Sequence, residues 1–163
     1  MVTIHNILVG SDFSETSRVA LDYARALAHQ FGARLHVMHV VETIAAGDVG
    51  VSGYAMAAPQ IQARLEEEAD QQLKQLVTDD DRLTLQARAV LIRLDTPAHA
   101  IVHYAESERI DLVVIGTHGR RGLTHLLMGS VAEKIVRTAP CPVLTVRHPE
   151  RDFVHPDALV KAV

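Results

Sequence analysis

The sequence predicts an α/β fold: an open five-stranded parallel sheet with helices on both faces and strand order 3-2-1-4-5. Three observations predict it. Short β-rich apolar runs alternate with helical patterns through most of the chain, which is how a parallel sheet with crossover helices reads in one dimension. Each connection between successive strands is long enough to be a crossover, and crossovers are overwhelmingly right-handed. The run Leu35 to Val41 is apolar apart from two histidines, as a strand covered on both faces tends to be.

The first strand runs from about Thr3 to Val9. Ser11-Asp12-Phe13-Ser14 then leads into a helix whose positions Ala20, Ala24, Ala28 and Phe31 recur at helical spacing, and Gly32 ends it. After the second strand, periodicity disappears from Glu42 to Pro59, where Gly47, Gly50 and Gly53 mark a long loop; loops of that length in compact domains are usually functional or mobile. Ile61, Leu65, Ala69 and Leu76 mark one face of a second helix, and Glu66, Glu67 and Glu68 read as its solvated side. Leu83, Leu85, Ala87 and Ala89 alternate with polar residues and predict a third strand, less deeply covered on one face, as at a sheet edge. Thr96 and Pro97 read as N-cap and first residue of a third helix. Asp111 to Ile115 is the fourth strand, Val131 to Thr138 the last helix, and Pro142 to Val146 the fifth strand.

The chain has 163 residues, 48% of them hydrophobic, which suits one compact domain. A formal charge of -4, with three Phe, three Tyr and no Trp, leaves neither a basic footprint nor a stacking surface for nucleic acid. No run of about eighteen apolar residues could span a bilayer, and the first residues lack the basic-then-apolar pattern of a signal peptide, so a cytoplasmic protein is expected. Cys141 is the single cysteine; between Pro140 and Pro142, with no basic neighbour to activate it, it reads as a buried structural thiol.

The most informative stretch follows the fourth strand: Gly116, Gly119 after two residues, then Gly129 and Ser130 after nine more. A strand, a glycine-bearing loop and a helix start bring backbone N–H groups and the positive end of a helix dipole to one place, which suits an anion. Glycine also makes turns and caps, so a purely structural loop is the competing reading. Ser130, with Glu133 three residues on, reads as a capping box; a hydroxyl that caps its helix is less available to phosphate. In a doubly wound sheet the ligand lies where the strand order reverses, here at the ends of the first and fourth strands, beside Ser11 and Asp12. Val40 and Val41 stand at the end of the second strand and Gly116 just beyond the fourth. Neither G-x-x-x-x-G-K-[ST] nor a G-x-G-x-x-G after the first strand is present.

The segments Val114 to Leu123, Leu127 to Lys134 and Ala139 to Leu144, with the opening Ile7-Leu8-Val9-Gly10-Ser11-Asp12-Phe13-Ser14 and Leu35 to Val41, resemble the universal stress protein family. The likeness covers Thr3 to Arg147, with residues 148–163 as a C-terminal tail. The glycine-serine spacing is similar to that of the family's ATP-binding branch. The resemblance implies a Rossmann-like sheet of the adenine nucleotide alpha hydrolase type, holding ATP or AMP, with Mg²⁺ accompanying ATP. It places Gly10, Ser11 and Asp12 toward the adenosine and Val40 against the adenine. Ile115, Gly116, His118, Gly119, Gly129, Ser130 and Val131 would line the ribose and phosphates. Arg120 and Arg121 make the loop more cationic and are candidate phosphate contacts. Asp95-Thr96-Pro97 departs from the family's usual glycine with an acidic residue.

The implied role is a stress-response switch or sensor with at most slow hydrolysis, since no carboxylate for Mg²⁺ with a group to orient water is evident. The alternative is a nucleotide-independent dimeric interaction protein whose glycine loop is only structural. Adenylate-forming relatives would carry a Ser-Gly-Gly loop after the first strand, which Gly10-Ser11-Asp12 does not supply. The edge strand Val143 to Val146 can pair with another copy, and the resemblance implies a homodimer made that way. Among ten histidines, His99 with His103 and His36 with His39 are the metal-like pairs. Neither has an evident third ligand, and His36 and His39 should point to opposite sheet faces.

Overall fold

The computed structural model describes residues 2–43, 58–94, 96–117 and 129–147. Within them lie five strands, β1 (Asn6–Gly10), β2 (Arg34–Val41), β3 (Arg88–Arg93), β4 (Leu112–Gly116) and β5 (Val143–Val146). The helices are α1 (Glu15–Phe31), α2 (Ala58–Leu76), α3 (Asp79–Thr84), α4 (Pro97–Ser107) and α5 (Ser130–Thr138). All strand pairs are parallel, in the order β3-β2-β1-β4-β5, as the sequence predicts. α1 and α2 cover one face of the sheet, α4 and α5 the other.

β1 and β4 are central. Ile7, Leu8 and Val9 on one and Val113 and Val114 on the other are fully buried, because side chains leaving either face of a central strand meet a helix. α1 presents Ala20, Ala24 and Ala28 to the sheet, and these small side chains let the helix lie close. Its ends are set by local chemistry. The Ser14 side chain accepts from the Ser17 N–H, and Gly32 takes the left-handed conformation at φ 64°, where a Cβ would be strained. Phe31, counted in the apolar stripe from sequence, is instead exposed.

The expected third strand is corrected. Leu83 and Thr84 belong to α3, and the third strand starts only at Arg88. Thr78 and Asp81 form a reciprocal capping box, and Arg25 Nε and Nη2 donate to the two Asp81 carboxylate oxygens at 2.9 and 2.7 Å. The capping box opens the helical turn Asp79–Thr84, the Arg25 pair ties it to α1, and Leu83 is left 82% exposed. The strand keeps its edge character, with only partial cover.

In α2 the residues turned to the sheet are Gln62, Ala69 and Leu73, while Ile61 and Leu65 are exposed. Polar groups occupy the N-terminal half of the inner face. Gln62 Nε2 donates to Glu66 Oε1 at 3.0 Å, and Arg93 Nη1 donates to the same oxygen at 3.3 Å. Of the three glutamates read as solvated, Glu67 and Glu68 are exposed and Glu66 is not. Cys141 is half-buried against the α4 and α5 side of the core, and burial pushes its thiol up. Thr96 is the N-cap of α4 with Pro97 as first helical residue, although the Thr96 hydroxyl makes no cap bond.

Candidate functional site

β1 and β4 are neighbours, paired from Ile7 with Leu112 to Val9 with Val114. β1 leaves toward β2 on one side while β4 lies on the other, so their carboxyl ends form the switch point of the sheet. Gly10 and Gly116 stand at those two ends. A Cβ on Gly10 would meet Ile101 Cδ1 at 3.2 Å and Ile115 Cγ2 at 3.6 Å. On Gly116 it would meet Thr16 Cγ2 at 2.8 Å. Both glycines therefore allow helices to approach the strand ends, whatever else they do.

Beyond Gly10 the chain makes a tight, heavily bonded turn. The Ser11 N–H donates to the Met38 carbonyl at 2.8 Å, so the turn starts as a continuation of the ladder with β2. Asp12 Oδ1 accepts from both the N–H and the hydroxyl of Ser14, at 3.0 and 2.5 Å. This Asx arrangement fixes the carboxylate at the entrance of α1. Ser11 is buried, with its hydroxyl 3.3 Å from that of Ser17 and accepting the Phe13 N–H at 3.2 Å. Phe13 has φ 65°, a left-handed value unusual for a residue carrying a bulky side chain.

The other side of the switch point is the start of α5. Gly129 is its N-cap, at φ -71° and ψ 154°, and among the described residues no side chain caps the helix. The expected capping box of Ser130 and Glu133 is absent. The Glu133 N–H bonds the Gly129 carbonyl at 2.9 Å, which makes Ser130 the first helical residue, and the Glu133 carboxylate pairs with Arg137 instead. The N–H groups of Ser130, Val131 and Ala132 consequently have no acceptor within the helix. The exposed Ser130 hydroxyl is not committed to a cap.

The Gly129 N–H has a structural job: it donates to the Thr117 carbonyl at 2.7 Å, and the Thr117 N–H donates to Val146 at 2.7 Å. Thr117 and Gly129, the two ends of the glycine loop, are thereby tied together at the edge of β4 and β5. His118, Gly119, Arg120, Arg121 and His125 lie outside the described residues. So do residues 44–57 of the long loop and the tail 148–163.

Of the remaining candidates, Val40 is half-buried at the end of β2 on the α4 side, and Val131 is exposed on the first turn of α5. Ile115 is buried in the core between sheet, α4 and α5, so its side chain is spent on packing. His36 and His39 do lie on opposite faces: His36 Nδ1 is 2.9 Å from the Tyr104 hydroxyl, and His39 Nδ1 is 2.8 Å from the Ser11 carbonyl. His99 and His103 stack on α4 with ring centroids 6.4 Å apart. Among the described residues, no group of three His, Cys, Asp or Glu side chains could hold a metal ion, and no helix is long and apolar enough to cross a membrane.

Sequence reasoning missed Ser17, and it quoted Phe13 and Thr117 only as parts of longer segments, with no role for either. His39 was visible only as a possible metal ligand. Its partner, the Ser11 carbonyl, is 28 residues away, and no local pattern reports such a contact.

Comparison with known proteins agrees with this architecture. A universal stress protein of Methanocaldococcus jannaschii is 31% identical over 146 residues, covering 90% of this chain and 84% of the relative. The universal stress protein UspA from Lactobacillus plantarum shares the fold at a TM-score of 0.71, with 24% identity over 90% of this chain and all of that one. The crystal structure of a universal stress protein in complex with cAMP matches at a TM-score of 0.58 with 25% identity, over 89% of this chain and 98% of that one. The model of the universal stress protein family matches residues 3–147, the same span that holds the sheet, its helices and the switch-point crevice. The chain belongs to the universal stress protein family.

Proposed function

We propose that this protein binds an adenine nucleotide, ATP or AMP, at the carboxyl ends of β1 and β4 and serves as a stress-response switch or sensor. The observation that carries the reading is the pairing, across one switch point, of two unlike polar ends. On one side the Asp12 carboxylate is held in the Ser14 turn; on the other, α5 starts after Gly129 with no side-chain cap among the described residues. A nucleotide has that polarity. Its ribose hydroxyls and adenine amine donate to a carboxylate, and its phosphates accept from N–H groups at the positive end of a helix. The cAMP complex of a relative supports the ligand class.

In this reading Asp12 accepts from the nucleoside and Val40 packs on the adenine. The phosphates take the Ser130 hydroxyl and the N–H groups of Ser130 and Val131. Gly10, Ser11, Gly116 and Gly129 shape the wall, and His118, Gly119, Arg120 and Arg121 add loop contacts, with cationic charge that favours a polyphosphate. Mg²⁺ would accompany ATP. Hydrolysis is at most slow, because Asp12 and Glu133 are already engaged with Ser14 and Arg137, leaving neither plainly placed to orient water. The edge strand β5 supports a homodimer built by strand pairing.

One observation favours a second reading, a nucleotide-independent interaction protein: Gly116 and Gly129 both have structural work against Thr16 and Thr117. Native mass spectrometry of freshly purified protein separates the two. Co-purified adenine nucleotide is the outcome expected, lost on replacing Gly119 with a bulky residue while the fold survives. Protein that takes up no nucleotide even at about 1 mM ATP, near −4 kcal/mol of binding, makes the second reading the correct one.

A further inference from the structure

We propose that His39 is a positioning residue for the nucleoside half of the site: from β2 it fastens the strained Ser11 to Phe13 turn and so fixes where the Asp12 carboxylate stands. The inference rests on the nucleotide reading above and deepens it by one residue that acts through another.

The Ser11 carbonyl can only accept, so the 2.8 Å contact to His39 Nδ1 requires the proton on Nδ1. Ser11 is thus held at both backbone groups by consecutive residues of one strand: its N–H by the Met38 carbonyl, its carbonyl by His39. Two residues on, the Phe13 ring lies 4.3 Å from the His39 ring, centroid to centroid, at 33°. The same imidazole therefore grips the turn before Asp12 through a hydrogen bond and after it through a ring face. Both contacts are sheltered, since His39 and Ser11 are 9% and 6% exposed.

Phe13 explains why the grip is needed. At φ 65° it occupies a region that a side chain with a Cβ and a ring disfavours, and such a conformation persists only where its surroundings over-determine it. Without the imidazole, Phe13 can relax to negative φ, and the peptide carrying Asp12 turns with it. The Asp12 to Ser14 bonds would then hold a carboxylate aimed elsewhere. Pre-organisation of this kind shows in affinity more than in global stability.

The test uses the full chain with His39→Leu, which removes the donor, and His39→Asn, whose amide N–H can stand where Nδ1–H stands. AMP and ATP affinities are measured by calorimetry alongside thermal unfolding and amide exchange at Asp12 and Phe13. His39→Leu is expected to weaken AMP by about tenfold or more and to speed local exchange by about the same factor. His39→Asn should keep affinity within about threefold. In an Asp12→Asn background, His39→Leu should add little further loss, since both act on one contact. A folded His39→Leu protein that binds AMP like wild type, a His39→Asn protein as weak as His39→Leu, or additive losses with Asp12→Asn would each overturn the role. Wild-type protein that binds neither AMP nor ATP overturns the nucleotide reading itself; unchanged exchange at Phe13 in His39→Leu separately overturns the fastening of the turn.

Discussion

Gly116 and Thr16 approach so closely that a methyl group on Gly116 would stand 2.8 Å from Thr16 Cγ2, with the Thr16 carbonyl carbon at 3.4 Å. The first glycine of the sequence motif is therefore required by the packing of α1 against the end of β4. Gly116→Ala should cost about 1 to 3 kcal/mol, the usual range for overpacking, by urea unfolding. Thr16→Ser deletes the clashing methyl, so the double variant should regain most of the loss. If Gly116→Ala is as stable as wild type, the close approach is not what demands glycine.

Ser130 separates capping from ligand binding. Were it the N-cap, Ser130→Ala would cost about 1 kcal/mol of stability. With Gly129 in that position and no side-chain cap bond made, the substitution should change stability by less than about 0.5 kcal/mol. ATP affinity should nevertheless fall by about tenfold to a hundredfold, the worth of one hydrogen bond to a charged acceptor. Calorimetry and thermal unfolding on the same sample check both halves.

Asp81 and Arg25 join α1 to the short helix α3 across 56 residues of sequence. Burial on its own pushes the Asp81 carboxyl up, but hydrogen bonds from Arg25 and Thr78 outweigh it and hold the group below the ordinary aspartate value. The unfolded chain therefore binds more protons than the folded one in acid, and stability rises with pH there. The contribution is full above the unfolded value of about 3.9 and is lost as pH falls through the lower folded value. Asp81→Ala should cost about 3 kcal/mol at pH 7 and flatten the acid limb of a stability-versus-pH curve. An unchanged acid limb would contradict the assignment.

His36 carries a different pH dependence. Its Nε2 is buried with no hydrogen-bond partner among the described residues, while Nδ1 meets the Tyr104 hydroxyl. Burial pushes its pKa down, Arg88 and Arg34 add to that, and Glu108 opposes it. Stability is full above the unfolded histidine value of about 6.5 and falls as pH drops from there toward the lower folded pKa. His36→Leu with Tyr104→Phe removes both partners, and should abolish that loss at little cost near pH 7. Urea unfolding at pH 7.5 and pH 5.5 measures the difference between the two proteins.

The sheet was legible because its signals are local. Ser14 and Gly32 bracket α1 through bonds within a few residues, and contiguous apolar runs mark the central strands. What was not legible depends on distant partners. α3 is opened by the Thr78 and Asp81 capping box and tied to α1 by the distant Arg25, while the alternation from Leu83 to Ala89 reads as strand. The inner face of α2 is led by Gln62, which donates to Glu66, and Glu66 in turn accepts from Arg93 of β3, so apolar periodicity pointed to Ile61 and Leu65. Ser11, Asp12 and Gly116 were readable as positions at the strand ends of the switch point. The positive φ of Phe13 was not, because nothing in a phenylalanine announces it and its restraint comes from β2.

The central claim is that an adenine nucleotide binds between Asp12 and the start of α5. Its most direct measurement is calorimetric titration of nucleotide-stripped protein with ATP, for wild type and Asp12→Ala in parallel. Wild type is expected to bind in the micromolar range, about −8 kcal/mol at 1 μM, with Asp12→Ala at least tenfold weaker and still folded. Equal affinity of the two proteins, or no heat of binding from wild type at about 1 mM ATP, would contradict the claim.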